Sequence, residues 1–201
     1  MLTPEQIVEN YNKFEALAGK TGAHRQEGLK QFFEHFGERL AMCPASSRTE
    51  FHRATPGGLV EHSLRVLKNG MKLMQTFKDS IDFSKEELIF ASLFHDIGKL
   101  GMPSAERYLP QSSDWHRNKG NVYEINKKMP FLTTSHAGVF LCQHFDIRIS
   151  YNEFAAILLN DGPVLDENKP YAMKEPLLAI FVHQADRISC EEEKRDENKS
   201  V

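Results

Sequence analysis

Four residues stand where their types could hold a divalent metal. His95 and Asp96 are adjacent and follow Leu88-Ile89-Phe90-Ala91-Ser92-Leu93-Phe94, a run that is almost wholly apolar. An imidazole offers a directional nitrogen to a metal, and a carboxylate offers charge and a second oxygen able to bridge two ions. A carboxylate ending such a run is costly to bury without a cation or a strong hydrogen-bond network. His62 lies in Gly57-Gly58-Leu59-Val60-Glu61-His62-Ser63-Leu64, and Asp186 in Phe181-Val182-His183-Gln184-Ala185-Asp186-Arg187-Ile188. Three separate apolar segments thus each bring a metal-competent group. Taken singly, each is more often a hydrogen-bonded core residue, and Asp186 could simply pair with Arg187 or Lys99. Of the nine histidines, His24, His35 and His144 have no companions of this kind.

The elements that must position these groups read as helices. Thr3-Pro4-Glu5-Gln6 is a capping-box start, followed by Ile7, Val8, Tyr11, Phe14 and Leu17 at helical spacing. A second helix carries Leu29, Phe32, Phe33, Phe36 and Leu40 and stops before Cys43-Pro44. A third is expected over 59–77, and Ser84 with Glu87 caps a fourth that Gly98 breaks. Further helices are expected over 133–145, from the Ser150–Glu153 box through Leu159, and from about Glu175 to Cys190. No strand pattern is convincing, so the expected fold class is all-α, a single helical domain over 1–190 with the motifs in 51–190 and the helices of 3–42 packed on them. Residues 191–201, which begin Glu191-Glu192-Glu193-Lys194-Arg195-Asp196, are expected to form a charged, disordered tail. Between Leu100 and Phe131 an irregular loop is expected. Loops this long in a compact domain are usually functional. It holds Trp115, His116, Arg117, Lys119 and Tyr123, a mixture suited to stacking a base and holding phosphates, so His116, Arg117 and Lys119 are candidate substrate contacts.

Composition narrows the classes of function. The 201 residues carry 25 Lys and Arg against 28 Asp and Glu, a net charge of −3, which argues against a general coat for nucleic acid. No apolar run approaches the ~20 residues of a membrane span, and no signal pattern opens the chain. Three widely spaced cysteines without a CxxC fit neither a disulfide scaffold nor a zinc ribbon, so a reducing, cytoplasmic setting is expected. The aromatic residues of the first two helices suit a core or a homo-oligomer interface equally.

In their order along the chain, His62, His95-Asp96 and Asp186 resemble the HD-domain superfamily of metal-dependent phosphohydrolases. That pattern is a His, a His-Asp pair and a distant Asp, all on helices. Gly57-Gly58-Leu59 before the first His, His95-Asp96-Ile97-Gly98-Lys99, and His183 three residues before Asp186 strengthen the likeness, which covers about 51–190. The resemblance implies that His62, His95, Asp96 and Asp186 hold a divalent ion, with Mn, Co, Mg, Zn, Fe and Ni not distinguished. Such an ion lowers the pKa of coordinated water from ~15.7 toward ~7 and polarises a phosphate oxygen. Asp96 would coordinate or orient the attacking water, and Lys99 would steady phosphoryl charge. Dinuclear members add histidines between the pair and the last Asp. His136 resembles the first of these, while Asn160-Asp161 stand where the second is expected, so a second, weaker site would use His136 and Asp161. His52-Arg53 is similar to a His-rich lead-in of some members, and both side chains suit phosphate oxygens.

The expected function is hydrolysis of an ester or anhydride of a nucleotide or similar small phosphorylated substrate, with no membrane partner and no stable nucleic-acid complex. A 3′–5′ exonuclease or cyclic-nucleotide phosphodiesterase would use the same chemistry. An HD-type diiron oxygenase needs the complete set of histidines, and Asn160 counts against it. A degenerate nucleotide sensor is disfavoured by the intact His62, His95, Asp96 and Asp186.

Overall fold

The computed structural model describes residues 1–199, and eight α-helices among them build the domain. The capping box of α1 (Pro4–Ala18) forms as the sequence requires, Thr3 Oγ1 accepting from the Gln6 amide and Gln6 Oε1 from the Thr3 amide. Then follow α2 (Gln26–Met42), α3 (Gly58–Thr76), α4 (Lys85–Phe94), α5 (Asp114–Asn118), α6 (Thr134–His144), α7 (Tyr151–Leu158) and α8 (Leu177–Lys199).

The apolar run before His95 explains the architecture. Every residue from Leu88 to Phe94 is buried, so beyond its exposed first turn α4 is the central rod and has no solvent face. α3 and α7 pack on it, and α8 packs most extensively on α3. The aromatic residues of the first two helices go inward. Phe14, Phe32 and Phe36 are fully buried and join Phe94 through ring contacts such as Phe32–Phe94 at 5.5 Å. They are core, each burying apolar surface for ~1.5–3 kcal/mol.

Two expectations are corrected. Residues 101–131 are not an irregular loop without strands. Gly101–Met102 (β1) pairs antiparallel with Ala105–Glu106 (β2), and Tyr108–Pro110 (β3) with Tyr123–Ile125 (β4). The amides of Val122 and Tyr123 also donate to Ser47 O at 3.0 and 3.1 Å, which ties this segment to the chain preceding α3. Short β ladders satisfy backbone groups without a long alternating pattern, so periodicity does not reveal them.

The second correction concerns the charged C-terminal segment. It is helical through Lys199, whereas a frayed tail was expected from residue 191; Ser200 and Val201 of that tail lie outside the described residues. The reason is a polar seam with α3. Asn69 Nδ2 donates to Ser189 Oγ and to Glu192, both at 3.0 Å, and Arg65 Nη1 lies 2.9 Å from Asp196. Charges that look like solvated ballast in sequence are partners of a neighbouring helix.

Candidate metal centre

α3 carries His62 three residues after the buried Leu59 and four before the buried Val66, on the same face, which directs the imidazole inward, and the ring is 0% exposed. At the C-terminal end of α4 the chain tightens into a 3₁₀ turn (Ile97–Leu100) and leaves His95 and Asp96 at the junction, 0% and 7% exposed. Gly98 makes this junction fit, because a Cβ there would lie 2.0 Å from Thr134 O and 2.7 Å from Gly138 N of α6. α8 brings Asp186 in from the other side.

The donors converge. His62 Nε2 lies 3.0 Å from Asp186 Oδ1 and 3.9 Å from Asp96 Oδ2, and His95 Nε2 lies 3.5 Å from Asp96 Oδ2. His62, His95 and Asp186 each offer a donor atom within 4.8 Å of the others. The far nitrogens are already engaged: His95 Nδ1 is 2.8 Å from Ser92 O, and His62 Nδ1 is 3.1 Å from Glu193 Oε2. With Nδ1–H donated in each ring, both Nε2 atoms face the cluster, the orientation of metal-binding histidines, and His62 Nε2 can take an ion once its proton leaves. His95 Nε2 is buried without a hydrogen bond, which is costly unless something else occupies that position, and His62 Nε2 faces the Asp186 carboxylate at 3.0 Å. The residues therefore fit a divalent cation.

Electrostatics agree. Burial opposes the charged form of His62, yet the hydrogen bonds it donates to the Asp186 and Glu193 carboxylates outweigh it and raise its pKa to about 10. Burial likewise works to raise Asp96, but Lys99 and then His95 hold its carboxyl well below the usual range. Asp186 is also lowered against burial, first by its hydrogen bond to His62. Without an ion, protons on the donors balance the charge an ion would bring.

Above the cluster opens a cavity of about 740 Å³, whose wall includes Asp186, Lys99, His52, Asp161, His183 and Arg107. The Lys99 ammonium is hydrogen-bonded to the Asp96 carboxylate, and burial, which lowers its pKa, is overcome by Asp96. His52 stacks at 4.4 Å on the His62 ring, and burial followed by the His62 charge lowers its pKa to about 4, so it is neutral at pH 7. Asp161 reaches the rim, where loss of solvent and the Asp96 carboxylate raise its pKa.

Several sequence candidates are placed elsewhere. Arg53 pairs with Glu61 at 3.1 Å and does not line this cavity. His116, Arg117 and Lys119 on α5 do not line it either; Arg117 bonds to Asp114 and Gln111 O, and Lys119 lies over the exposed Trp115 ring at 3.9 Å. His136 is exposed in the first turn of α6, its Nδ1 2.6 Å from Thr133 Oγ1, and it joins neither of the metal-competent groups found among the described residues. The Asn160 side chain accepts from Ser135 Oγ at 3.1 Å and donates to His95 O at 3.5 Å, so it braces the backbone of the pair.

Sequence reasoning missed Glu193, Cys190 and Arg107. Glu193 follows Asp186 by seven residues, two helical turns, so the two share a face of one helix. That spacing was the available signal, and a run of like residues concealed it. Cys190, one turn after Asp186, forms a second donor group with His52 and His62. Nothing local in the sequence marks Arg107.

The family model for the HD domain matches residues 59–190, more than half of the chain. The chain belongs to the HD-domain family. This HD domain is therefore a member of a superfamily of metal-dependent phosphohydrolases, and the matched span contains His62, His95-Asp96 and Asp186 together. Searches of curated proteins and of solved structures found no significant match. Among the described residues no helix is long and apolar enough to cross a membrane.

Proposed function

We propose that this HD domain is a metal-dependent phosphohydrolase acting on a small phosphate ester or anhydride, a nucleotide first among them, with His62, His95, Asp96 and Asp186 as the metal-holding set. The observation that carries this reading is the convergence of two buried Nε2 atoms, those of His62 and His95, on the Asp186 and Asp96 carboxylates, with His95 Nε2 left without a hydrogen bond. A divalent ion held there supplies Lewis acidity to a phosphate oxygen and to the attacking water. Lys99, fixed on Asp96, places positive charge at the cavity floor where phosphoryl charge develops. Neutral His52 offers a ring nitrogen at the wall to a phosphate oxygen or a water. A cavity of about 740 Å³ lies in the size range of small-molecule sites, which favours a small substrate over a polymer.

The test is a screen of nucleoside and deoxynucleoside mono-, di- and triphosphates and cyclic nucleotides with Mn²⁺, Co²⁺ and Mg²⁺, beside metal analysis of wild type and Asp96→Ala. We expect phosphate release confined to one substrate group and loss of metal in the variant. Equal metal content in the two proteins would remove the site assignment. Release from none of the compounds would remove the nucleotide reading.

A further inference from the structure

Arg107 differs from the other cations that line the cavity. Lys99 is paired with Asp96, while Arg187 and Lys194 lean on Glu191 at 4.0 and 3.5 Å. Arg107 has no carboxylate partner among the described residues. Its Nη1 donates to Leu132 O at a long 3.4 Å, and its Nε is buried with no hydrogen bond at all. An N–H removed from water and given no acceptor is costly, as is a half-buried charge with no counter-charge.

The backbone holds the residue in this position. Arg107 joins β2 to β3, and its carbonyl accepts from the Asn126 amide at 2.8 Å. Gly101, at φ 89°, lies so close that a Cβ there would stand 2.5 Å from the Arg107 amide nitrogen. The hairpin thus fixes an uncompensated guanidinium on the wall that Lys99 and Asp186 share. A guanidinium fork matches two oxygens of a phosphate.

We propose that Arg107 is a phosphate-binding residue of this centre, its guanidinium engaging an anionic oxygen of the substrate from the cavity wall. This rests on the phosphohydrolase reading above and assigns to the β2–β3 segment the substrate contact that the sequence suggested for α5.

Inorganic phosphate and pyrophosphate are suitable probes, titrated into chelator-treated and Mn²⁺-loaded protein. The Arg107 Nε–H signal in a proton–nitrogen correlation spectrum is assigned by its disappearance in Arg107→Lys. We expect phosphate to shift that signal in the wild type. Binding should weaken roughly 10- to 100-fold in Arg107→Gln and less in Arg107→Lys, with metal content and melting temperature unchanged. The proposal is overturned if phosphate saturates the wild type without moving the signal, if Arg107→Gln binds as tightly, or if the wild type binds neither probe in either state. Should Arg107→Gln fail to fold, the wild-type signal still decides. A wild type that takes up no metal would instead remove the phosphohydrolase reading, leaving the phosphate titration of chelator-treated protein to judge Arg107 alone.

Discussion

At the scale of single residues, Glu193 is the group on which the metal centre leans without being a donor in it. Its carboxylate accepts from His62 Nδ1 at 3.1 Å, is fully buried, and lies 3.5 Å from Arg65 Nε. Such a contact fixes tautomer and ring orientation, and its loss typically lowers metal affinity 10- to 100-fold. Glu193→Gln should therefore weaken Mn²⁺ or Co²⁺ binding by about that factor while the circular dichroism spectrum stays that of wild type; unchanged affinity in a metal titration would contradict this. A pH dependence follows from the same contact. With its pKa raised to about 10, His62 is protonated at neutral pH when no ion is bound, and an ion can take Nε2 only as that proton leaves. Metal affinity should thus rise with pH through the neutral range, by about tenfold per unit for one proton displaced. Calorimetry in buffers of different ionisation enthalpy would count the released proton, and a count of zero would refute the exchange.

At the scale of elements, the candidate centre depends on the C-terminal end of α4 meeting the start of α6 closely. Gly98 lets the turn after α4 touch the first turn of α6, and a methyl there meets backbone rather than a yielding side chain. Gly98→Ala should cost roughly 1–3 kcal/mol in urea denaturation and weaken metal binding as well, because His95 and Asp96 move with that turn. Stability within 0.3 kcal/mol of wild type, a limit set by the usual additivity error of about that size, would show that the contact yields. This is also the scale at which the sequence was most legible. Apolar periodicity and the Thr3, Ser84 and Ser150 capping boxes located the helices, because each signal is local to the chain. The β ladders of residues 101–125 were not legible, since strands of two or three residues are too short to show alternation, and residues 121–123 lean on Ser47 and Arg48, remote in sequence. For the same reason Arg107 went unnoticed and the α5 cations were favoured in its place. His62, His95-Asp96 and Asp186 could be picked out because a family pattern spans the distances that spacing alone cannot bridge.

At the scale of the whole molecule, a buried ion pair ties the start of α2 to α7. Arg25, ahead of α2, lies 2.9 Å from Glu153 of α7, with the two side chains 4% and 0% exposed, and its guanidinium stacks 4.2 Å over Phe90. Removing one partner leaves the other charged and buried, so Glu153→Ala should lose about 3–5 kcal/mol. Arg25→Met combined with Glu153→Leu should recover part of that loss, since no charge is then stranded. A double variant less stable than Glu153→Ala in a denaturant series would contradict this account. Net charge, which ruled out a nucleic-acid coat, says little about the cavity, where Arg107 is unpaired among the described residues despite a total of −3.

Finally, α8 sets an order of events in the making of this protein. It delivers Asp186 to the cluster and, two turns later, the carboxylate that orients His62, and both arrive only when that helix docks against α3. A nascent chain released from synthesis as far as residue 180 would carry His62, His95 and Asp96 and still lack a complete cation cage. On the proposed reading, the donor set with its Glu193 support is complete only in a chain that has emerged beyond Glu193, so metal loading would report that α8 has docked.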